Sequence, residues 1–424
     1  MKIQQLLKRE PFGKIIEKTL SKFLSDYYKA TYKVTWKKHI IFRTSKRGHL
    51  NNKSIFYCNP YINLIFSETP GELVIDFIRE NYTNTPLYYK RFLQKIYIRL
   101  ITNIKIGRYL CTHYVEISPS LPSCKNIVFL GGNNRIRMLD LEAMLTWDIL
   151  KWRFDQKYIL SELAVKNQPG SWPFPYLRSV AKDGTWYKSE YVHAVSLNRL
   201  DYKKNHLPFL VSSLKTLESW LDLSVLTSNF ETYVGNITKE IIKLVENAPL
   251  FNENDSIMIH KWLGIIGRSL QKQENCLNIS VELAKGHGDF QSGNILVDST
   301  ENVWIVDWEH SQIRQFAYDY FVFALQSRYP KGLTRRIQEV IQNETYFDKL
   351  LPYIPPRLQK MLVVKRLRVV SLLLFLLEEL LWNIQENTNS MFTCQSGSWL
   401  LLQKEMPQAL KLLGDACSQN VNRR

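Results

Sequence analysis

The sequence has few cysteines, and no two of them stand in the C-x-x-C spacing that zinc sites and redox motifs use. Its six cysteines are scattered along 424 residues. This scatter is typical of reduced thiols rather than of a disulfide or zinc framework. We therefore expect a cytoplasmic protein.

Long hydrophobic runs are also missing. The most apolar run, Val369 to Leu377, has nine residues between Arg368 and Glu378, which is too short to span a bilayer. It predicts a buried helix, because a helix that is apolar on all sides is packed on all sides. The first dozen residues lack the continuous apolar core of a signal peptide.

Acidic residues are scarce at one end of the chain. Residues 1–125 contain 22 Lys and Arg against 8 Asp and Glu, a net charge of +14, out of +17 for the whole chain. The remainder is nearly neutral, and the composition, 45% hydrophobic and 22% charged, is that of a globular protein. The basic character therefore belongs to an N-terminal segment.

Three polar residues follow one another in two motifs. The motif HGDFQSGNILV, His287 to Val297, contains Asp289 and Asn294, and WIVDWEH, Trp304 to His310, contains Asp307. Transfer of a γ-phosphoryl group needs a carboxylate that positions the acceptor hydroxyl and accepts its proton, together with oxygen ligands for Mg²⁺. We predict Asp289 as the base, and Asn294 and Asp307 as metal ligands. The intervening ILVDSTENVWIVDW predicts a β-hairpin that returns Asp307 towards Asn294.

The pattern H-G-D-x(4)-N followed by I-V-D-W-E resembles the aminoglycoside phosphotransferase and choline kinase-like family, a branch of the protein kinase-like fold. The resemblance implies an α+β fold with a β-rich small lobe, a mostly helical large lobe, and ATP, or another nucleoside triphosphate, bound with Mg²⁺ between them. It implies an enzyme that phosphorylates a hydroxyl of a small molecule. The alternative is a catalytically inactive kinase-like binding or scaffold protein. The family's structural aspartate after D-W-E would be Asp319.

The resemblance places the small nucleotide-binding lobe at residues 119–192 and the large catalytic lobe at 193–424. Residues 1–118 form a basic extension that it does not cover. Within the extension, the apolar spacing from Phe12 to Ala30 predicts a basic amphipathic helix. Either this helix packs on the small lobe, or it binds an anionic membrane surface or glycan and makes the protein peripheral to the membrane. Nucleic acid is the less favoured partner, because the aromatic residues lack the spacing of an RNA-binding sheet.

The family's nucleotide site can be placed on this sequence. A hairpin turn contains Gly131, Gly132, Asn133 and Asn134, and such a turn can direct backbone N–H groups at phosphates. A strand lysine, Lys151, would bind phosphate and be oriented by Glu162, with Lys157 as the rival lysine. The backbone of Glu190, Tyr191 and Val192 would meet the adenine ring.

The acceptor is expected to be neutral or anionic, such as a sugar, a sugar conjugate or another metabolite. Aminoglycosides are polycations that need several carboxylates, whereas the predicted large lobe is nearly neutral and the chain ends in the basic NVNRR. Choline-type amines stay open as an alternative, because Trp and Tyr side chains can form a cation-binding cage.

Overall fold

The computed structural model describes residues 3–38, 52–82, 88–103, 106–170, 172–200, 205–274, 280–342, 354 and 356–421. The chain divides into two compact units. The first unit contains residues 1–206 and 296–306, and the second contains 207–295 and 307–424.

The first unit combines five helices with most of the strands described. Its elements are α1 (Ile3–Arg9), α2 (Phe12–Tyr28), β1 (Lys33–Lys38), β2 (Ser54–Asn59), β3 (Leu64–Ser67), α3 (Glu72–Tyr82), α4 (Tyr88–Ile101), β4 (His113–Ser118), β5 (Ile127–Gly131), β6 (Arg135–Asp140), β7 (Leu145–Leu150), α5 (Lys157–Lys166), β8 (Leu177–Val180), β9 (Trp186–Glu190) and β10 (Ala194–Ser196).

The second unit is mostly helical. Its elements are α6 (Leu207–Asp222), β11 (Leu226–Asn229), α7 (Phe230–Asn247), α8 (Glu253–Glu274), β12 (Ser280–Gly286), β15 (Gln312–Gln315), α9 (Tyr318–Ala324), α10 (Leu333–Gln342), α11 (Pro356–Val363), α12 (Lys365–Gln385) and α13 (Gly397–Val421). Two hairpin strands, β13 (Ile295–Asp298) and β14 (Val303–Ile305), lie between β12 and β15 in the chain and, apart from Ile295, belong to the first unit. The predicted α+β class, with a β-rich part and a mostly helical part, is confirmed.

One antiparallel sheet of nine strands organises the first unit, in the order β1-β4-β2-β3-β5-β6-β7-β9-β8. The link between β3 and β5, with Ile65 opposite Phe129, joins the strands of the N-terminal extension to those of the predicted small lobe. The position predicted as a boundary, between 118 and 119, therefore does not separate two compact units. The first compact unit extends to residue 206, and the lobe boundary at 192 stays a prediction.

The helix predicted from Phe12 to Ala30 is present as α2. Its apolar residues, including Phe12, Ile16 and Leu20, are buried in a cluster with Ile136 and Trp147 of the sheet. Of the two alternatives for this helix, packing is the one that the structure shows. The opposite face of the sheet carries α3 and α4, which contribute Val74, Ile78, Ile98 and Ile101 to a second cluster.

In the second unit, α12 packs against α7, α8 and α13. The apolar run Val369 to Leu377 lies within α12, and every one of its side chains is buried. The prediction of a buried helix is confirmed. Among the residues described, no helix has the length and apolar character needed to cross a bilayer.

The hairpin predicted after Asn294 is also present. Strand β13 lies between β10 and β14 in a three-stranded sheet. The turn is closed by Asp298, whose backbone N–H donates to Asn302 O at 3.1 Å. Asn294 and Asp307 border the two ends of this hairpin, and both belong to the second unit.

Candidate active site

The H-G-D motif forms a loop directly after β12. Asp319, the second residue of α9, accepts the backbone N–H of His287 at 2.6 Å and that of Gly288 at 2.9 Å. The Asp319 side chain is buried, and burial raises the pKa of its carboxyl. Two hydrogen bonds from fixed N–H groups therefore hold the loop, and Asp319 has a structural role, as the resemblance implied.

Glycine is required at position 288. Its φ is +80°, and a Cβ there would lie 2.1 Å from the carbonyl oxygen of His310. A Cβ at Gly286 would lie 2.5 Å from Asp319 Oδ2. The loop backbone is therefore packed too closely for any side chain at these two positions.

Asp289 and Asn294 are in direct contact. Asn294 Nδ2 donates to Asp289 Oδ2 and to the Asp289 backbone oxygen, each at 2.9 Å. Gln291 Nε2 donates to both carboxylate oxygens, at 3.1 and 3.0 Å. These donors orient the carboxylate.

Arg328, which the sequence reasoning did not single out, completes the surroundings of Asp289. Its Nε donates to Asp289 Oδ1 at 2.6 Å, and its Nη1 donates to both oxygens of Glu379, at 2.8 and 2.9 Å. The guanidinium lies 3.7 Å from the centroid of the Trp382 ring. Burial acts to lower the pKa of Arg328, but Glu379, Tyr318 and Asp289 together more than offset this effect and hold the pKa well above its usual value.

Asp307 begins the short 3-10 turn Trp308–His310, with φ 67° and ψ 53°. This segment lies against the H-G-D loop: the rings of His287 and Trp308 are 4.5 Å apart, and Ser311 Oγ donates to Gly286 O at 2.8 Å. The structure thus places the segment that carries Asp307 beside the loop that carries Asp289.

Asn294 and Asp307 have the ligand chemistry that Mg²⁺ prefers. The amide nitrogen of Asn294 is directed at Asp289, so the group that this side chain can offer a cation is its oxygen. Asp307 supplies a carboxylate. Among the residues described, no group of three or more His, Cys, Asp and Glu side chains could hold a metal. Binding of Mg²⁺ by the Asn294 oxygen and the Asp307 carboxylate stays a prediction.

The predicted glycine turn joins β5 to β6. A Cβ on Gly131 would lie 2.9 Å from Ile3 of α1, and Asn63 Nδ2 donates to Gly131 O at 3.0 Å. The hairpin is confirmed, and α1 packs on its first residue. Phosphate binding by this turn stays a prediction.

The predicted pairing of Lys151 with Glu162 is not the one that the structure shows. Lys151 Nζ lies 2.6 Å from Glu10 Oε1, in the link between α1 and α2, and the lysine side chain is fully buried. Glu162 instead pairs with Arg135, at 2.5 Å between Oε2 and Nη1. The rival lysine, Lys157, is half exposed and lies 3.9 Å from Asp155.

Strand alternation gives the physical reason. Successive side chains of β6 project from opposite faces of the sheet, and Ile136, next to Arg135, packs with α1 and α2. Lys151 lies on that same face, beside Phe12. Arg135 and Glu162 therefore lie on the other face, where Lys151 cannot take the role of Arg135.

A buried polar cluster surrounds Arg135. Its guanidinium also lies 3.3 Å from Asp148 and donates to the Tyr187 hydroxyl at 3.0 Å. Burial lowers the pKa of nearby Lys166. The signal for this cluster was present in the sequence, since Arg135 and Arg137 alternate with apolar residues in RIRML.

Two of the three backbone N–H groups predicted to meet adenine donate within the protein. Glu190 N donates to Tyr176 O and Tyr191 N donates to Met144 O, each at 2.9 Å. Burial raises the pKa of the Tyr191 side chain above its usual value, and its ring contacts the cluster around α3 and α4. Contact of adenine with this segment, including Val192, stays a prediction.

No model of a known protein family matches the chain, and no curated protein matches it. Solved structures resemble it. A choline/ethanolamine kinase family protein from Mesorhizobium loti is 16% identical, with a TM-score of 0.37, over 68% of this chain and 92% of that chain. An ethanolamine kinase from Plasmodium vivax is 12% identical, with a TM-score of 0.42, over 82% of this chain and 95% of that chain.

A thermostable mutant of an aminoglycoside phosphotransferase, in a ternary complex with ADP and hygromycin B, is also 12% identical. Its TM-score is 0.42, over 68% of this chain and 93% of that chain. Choline/ethanolamine kinases and an aminoglycoside phosphotransferase are thus among the solved structures that this chain resembles.

Proposed function

We propose that this chain is a phosphotransferase that moves the γ-phosphoryl group of ATP, or of another nucleoside triphosphate, to a hydroxyl of a small molecule. The observation that carries the proposal is the contact between Asp289 and Asn294 on a loop held by Asp319. A fixed carboxylate next to an amide oxygen is what positioning of a hydroxyl beside a metal-bound phosphate requires.

Each residue has a separate task in this proposal. Asp289 accepts the proton of the acceptor hydroxyl while the new oxygen–phosphorus bond forms and the bond to the leaving nucleoside diphosphate breaks. Asn294 and Asp307 would hold Mg²⁺. When bound, the metal neutralises the charge of the phosphate oxygens. Hydrogen bonds from Gln291 and Arg328 keep the Asp289 carboxylate oriented.

For the nucleotide phosphates we propose Arg135 in the role first assigned to Lys151. The ion pair with Glu162 orients the guanidinium of Arg135, and a phosphate-binding cation needs such an orienting partner. Arg135 also begins β6, directly after the turn that contains Gly132 and Asn133. Lys151 is enclosed by Glu10 and by the backbone oxygen of Asn133, which accepts from its Nζ at 2.8 Å. It also lies on the face of the sheet opposite to Glu162, beside Phe12.

The acceptor we propose is neutral or anionic, with a sugar or sugar conjugate as the first candidate. Outside residues 1–125 the chain has 34 basic and 31 acidic residues, which is not the acidic surface that a polycation needs. A choline-type amine is the less favoured acceptor, because the ring of Trp382 is already covered by Arg328, the arginine that contacts Asp289.

The alternative, a catalytically inactive binding protein, has one observation in its favour. Side chains of Arg328, Gln291 and Asn294 already donate to the Asp289 carboxylate. An acceptor hydroxyl must therefore either share a carboxylate oxygen of Asp289 with one of these donors or displace that donor. Binding of ATP without any transfer would support this alternative.

An untargeted comparison of metabolites tests the proposal. A metabolite extract is incubated with ATP and Mg²⁺, with and without the purified full-length protein. We expect at least one compound to gain the mass of one phosphoryl group only when the protein is present. If no compound gains this mass and calorimetry detects no binding of ATP, the proposal is wrong.

A contact of the basic extension with an anionic membrane or glycan also remains a proposal. It does not involve the apolar face of α2, because that face is packed on the sheet. Another element of the first unit must supply the surface.

A further inference from the structure

Helix α4 exposes a row of large apolar side chains. Tyr89, Phe92, Leu93, Ile96 and Leu100 are between 37% and 60% exposed among the residues that the structure describes. At about 100° per residue they fall within roughly one third of the helix circumference. We call these five residues the outer face of α4. Single exposed apolar residues are common, whereas five on one helix face indicate an interaction surface.

The outer face is not the face that holds the helix in the fold. Ile98 and Ile101, on the other side of α4, are buried in the cluster that includes Val74 and Ile78 of α3. The helix therefore stays attached to the sheet when its outer face contacts something else. Helix α2 differs from α4 in this respect, because its apolar residues are buried in the core and its lysines lie outside.

Positive charge borders the outer face. Arg91, Lys95 and Arg99 follow one another at intervals of four residues, so they form one row along the helix, next to Phe92. Lys95 and Arg99 are exposed. The helix YYKRFLQKIYIRLI contains no acidic residue.

We propose that the outer face of α4 binds the surface of an anionic lipid bilayer. A helix that presents apolar side chains with a row of cations at their border lies in the plane of the headgroups, where the apolar groups leave water and the cations meet lipid phosphates. The net charge of +14 in residues 1–125 complements such a surface. This inference does not rest on the proposed phosphotransferase activity.

Vesicle cosedimentation of the full-length protein tests the proposal. Vesicles of phosphatidylcholine with phosphatidylserine are compared with vesicles of phosphatidylcholine alone, at low and near-physiological salt. We expect binding to the anionic vesicles that weakens with salt. The double variant Lys95→Glu/Arg99→Glu should bind at least tenfold more weakly, since each charge near the surface contributes about fivefold.

Two further variants make the test specific to α4. The control variant Lys239→Glu/Lys243→Glu changes the net charge by the same amount at two exposed positions of α7, which are also four residues apart. This variant should bind the vesicles as the wild type does. Phe92→Ser/Leu93→Ser keeps every charge and should lose most binding. No binding by the wild type, or equal loss in the α4 and α7 charge variants, would overturn the proposal. So would a dimer in sedimentation velocity that Phe92→Ser/Leu93→Ser abolishes, because the outer face would then bind a second copy.

Discussion

The guanidinium of Arg328 links Asp289 to Glu379: its Nε lies 2.6 Å from Asp289 Oδ1, and its Nη1 lies 2.8 and 2.9 Å from the two oxygens of Glu379. The H-G-D loop is thereby tied to α12, the buried helix of the second unit. The Tyr318 hydroxyl also donates to Glu379, at 2.5 Å from Oε1. The orientation of the proposed base therefore depends on a buried ion pair.

Arg328→Met should destabilise the protein strongly. The change leaves Glu379 buried without its cation, and removing one partner of a buried pair costs about 3–5 kcal/mol. Urea denaturation measures the loss. The double variant Arg328→Met/Glu379→Met should recover at least half of it, because no uncompensated charge remains. A single variant that loses less than about 1 kcal/mol would show that the pair is not buried as described.

Asn294→Ala and Asp307→Ala should each raise the Mg²⁺ concentration needed for half-maximal activity. We expect the larger effect for Asp307→Ala, because a carboxylate supplies charge as well as geometry. High Mg²⁺ should partly restore the asparagine variant. Asp222→Ala, an exposed carboxylate on α6, serves as the control. If both site variants keep the wild-type Mg²⁺ dependence, neither residue is a metal ligand.

Arg135→Gln should weaken ATP binding by about ten- to a hundredfold, the usual contribution of a hydrogen bond to a charged group. Lys151→Met combined with Glu10→Met should change ATP affinity by less than about threefold, because both partners of the buried pair are replaced together. Calorimetry with ATP and Mg²⁺ measures both. The reverse order of effects would return the phosphate-binding role to Lys151.

Stability should depend on pH through Glu378. Burial raises the pKa of this carboxyl from 4.5 to about 7, although the Tyr233 hydroxyl and Gln315 donate to it. The folded state therefore favours the protonated form, and the resulting stability is complete below pH 4.5 and is lost as pH rises through about 7. The wild type should lose about 3 kcal/mol at most over this range.

Denaturant titrations at pH 5 and pH 7.5 measure that loss. Glu378→Gln removes the titrating group, so the difference between the two pH values should shrink in this variant whatever its absolute stability. An equal difference in wild type and variant would assign the pH dependence to other groups.

Elements with local sequence signals could be predicted. The hairpin that ends at Asp307 follows from alternating apolar residues around a turn, and the buried α12 follows from its apolar run. The contact between Asp289 and Asn294 follows from the motif spacing within one loop. In each case the residues that make the structure are close in sequence.

Contacts between distant residues could not be predicted in the same way. Lys151 and Glu10 are 141 residues apart, and nothing local indicates that α1 and α2 cover the face of the sheet from which Lys151 projects. Arg328 is 39 residues from Asp289 and outside any motif. The pairing of β3 with β5, on either side of residue 118, could not be predicted for a related reason, because it depends on the whole sheet.

The most direct measurement is the rate of phosphoryl transfer by the wild type and by Asp289→Asn, at saturating ATP, with the acceptor found in the metabolite comparison. If Asp289 is the base, Asp289→Asn should transfer about 10²- to 10⁴-fold more slowly, with ATP affinity unchanged. A rate within a few fold of the wild type would contradict the central claim that this carboxylate accepts the proton of the acceptor hydroxyl.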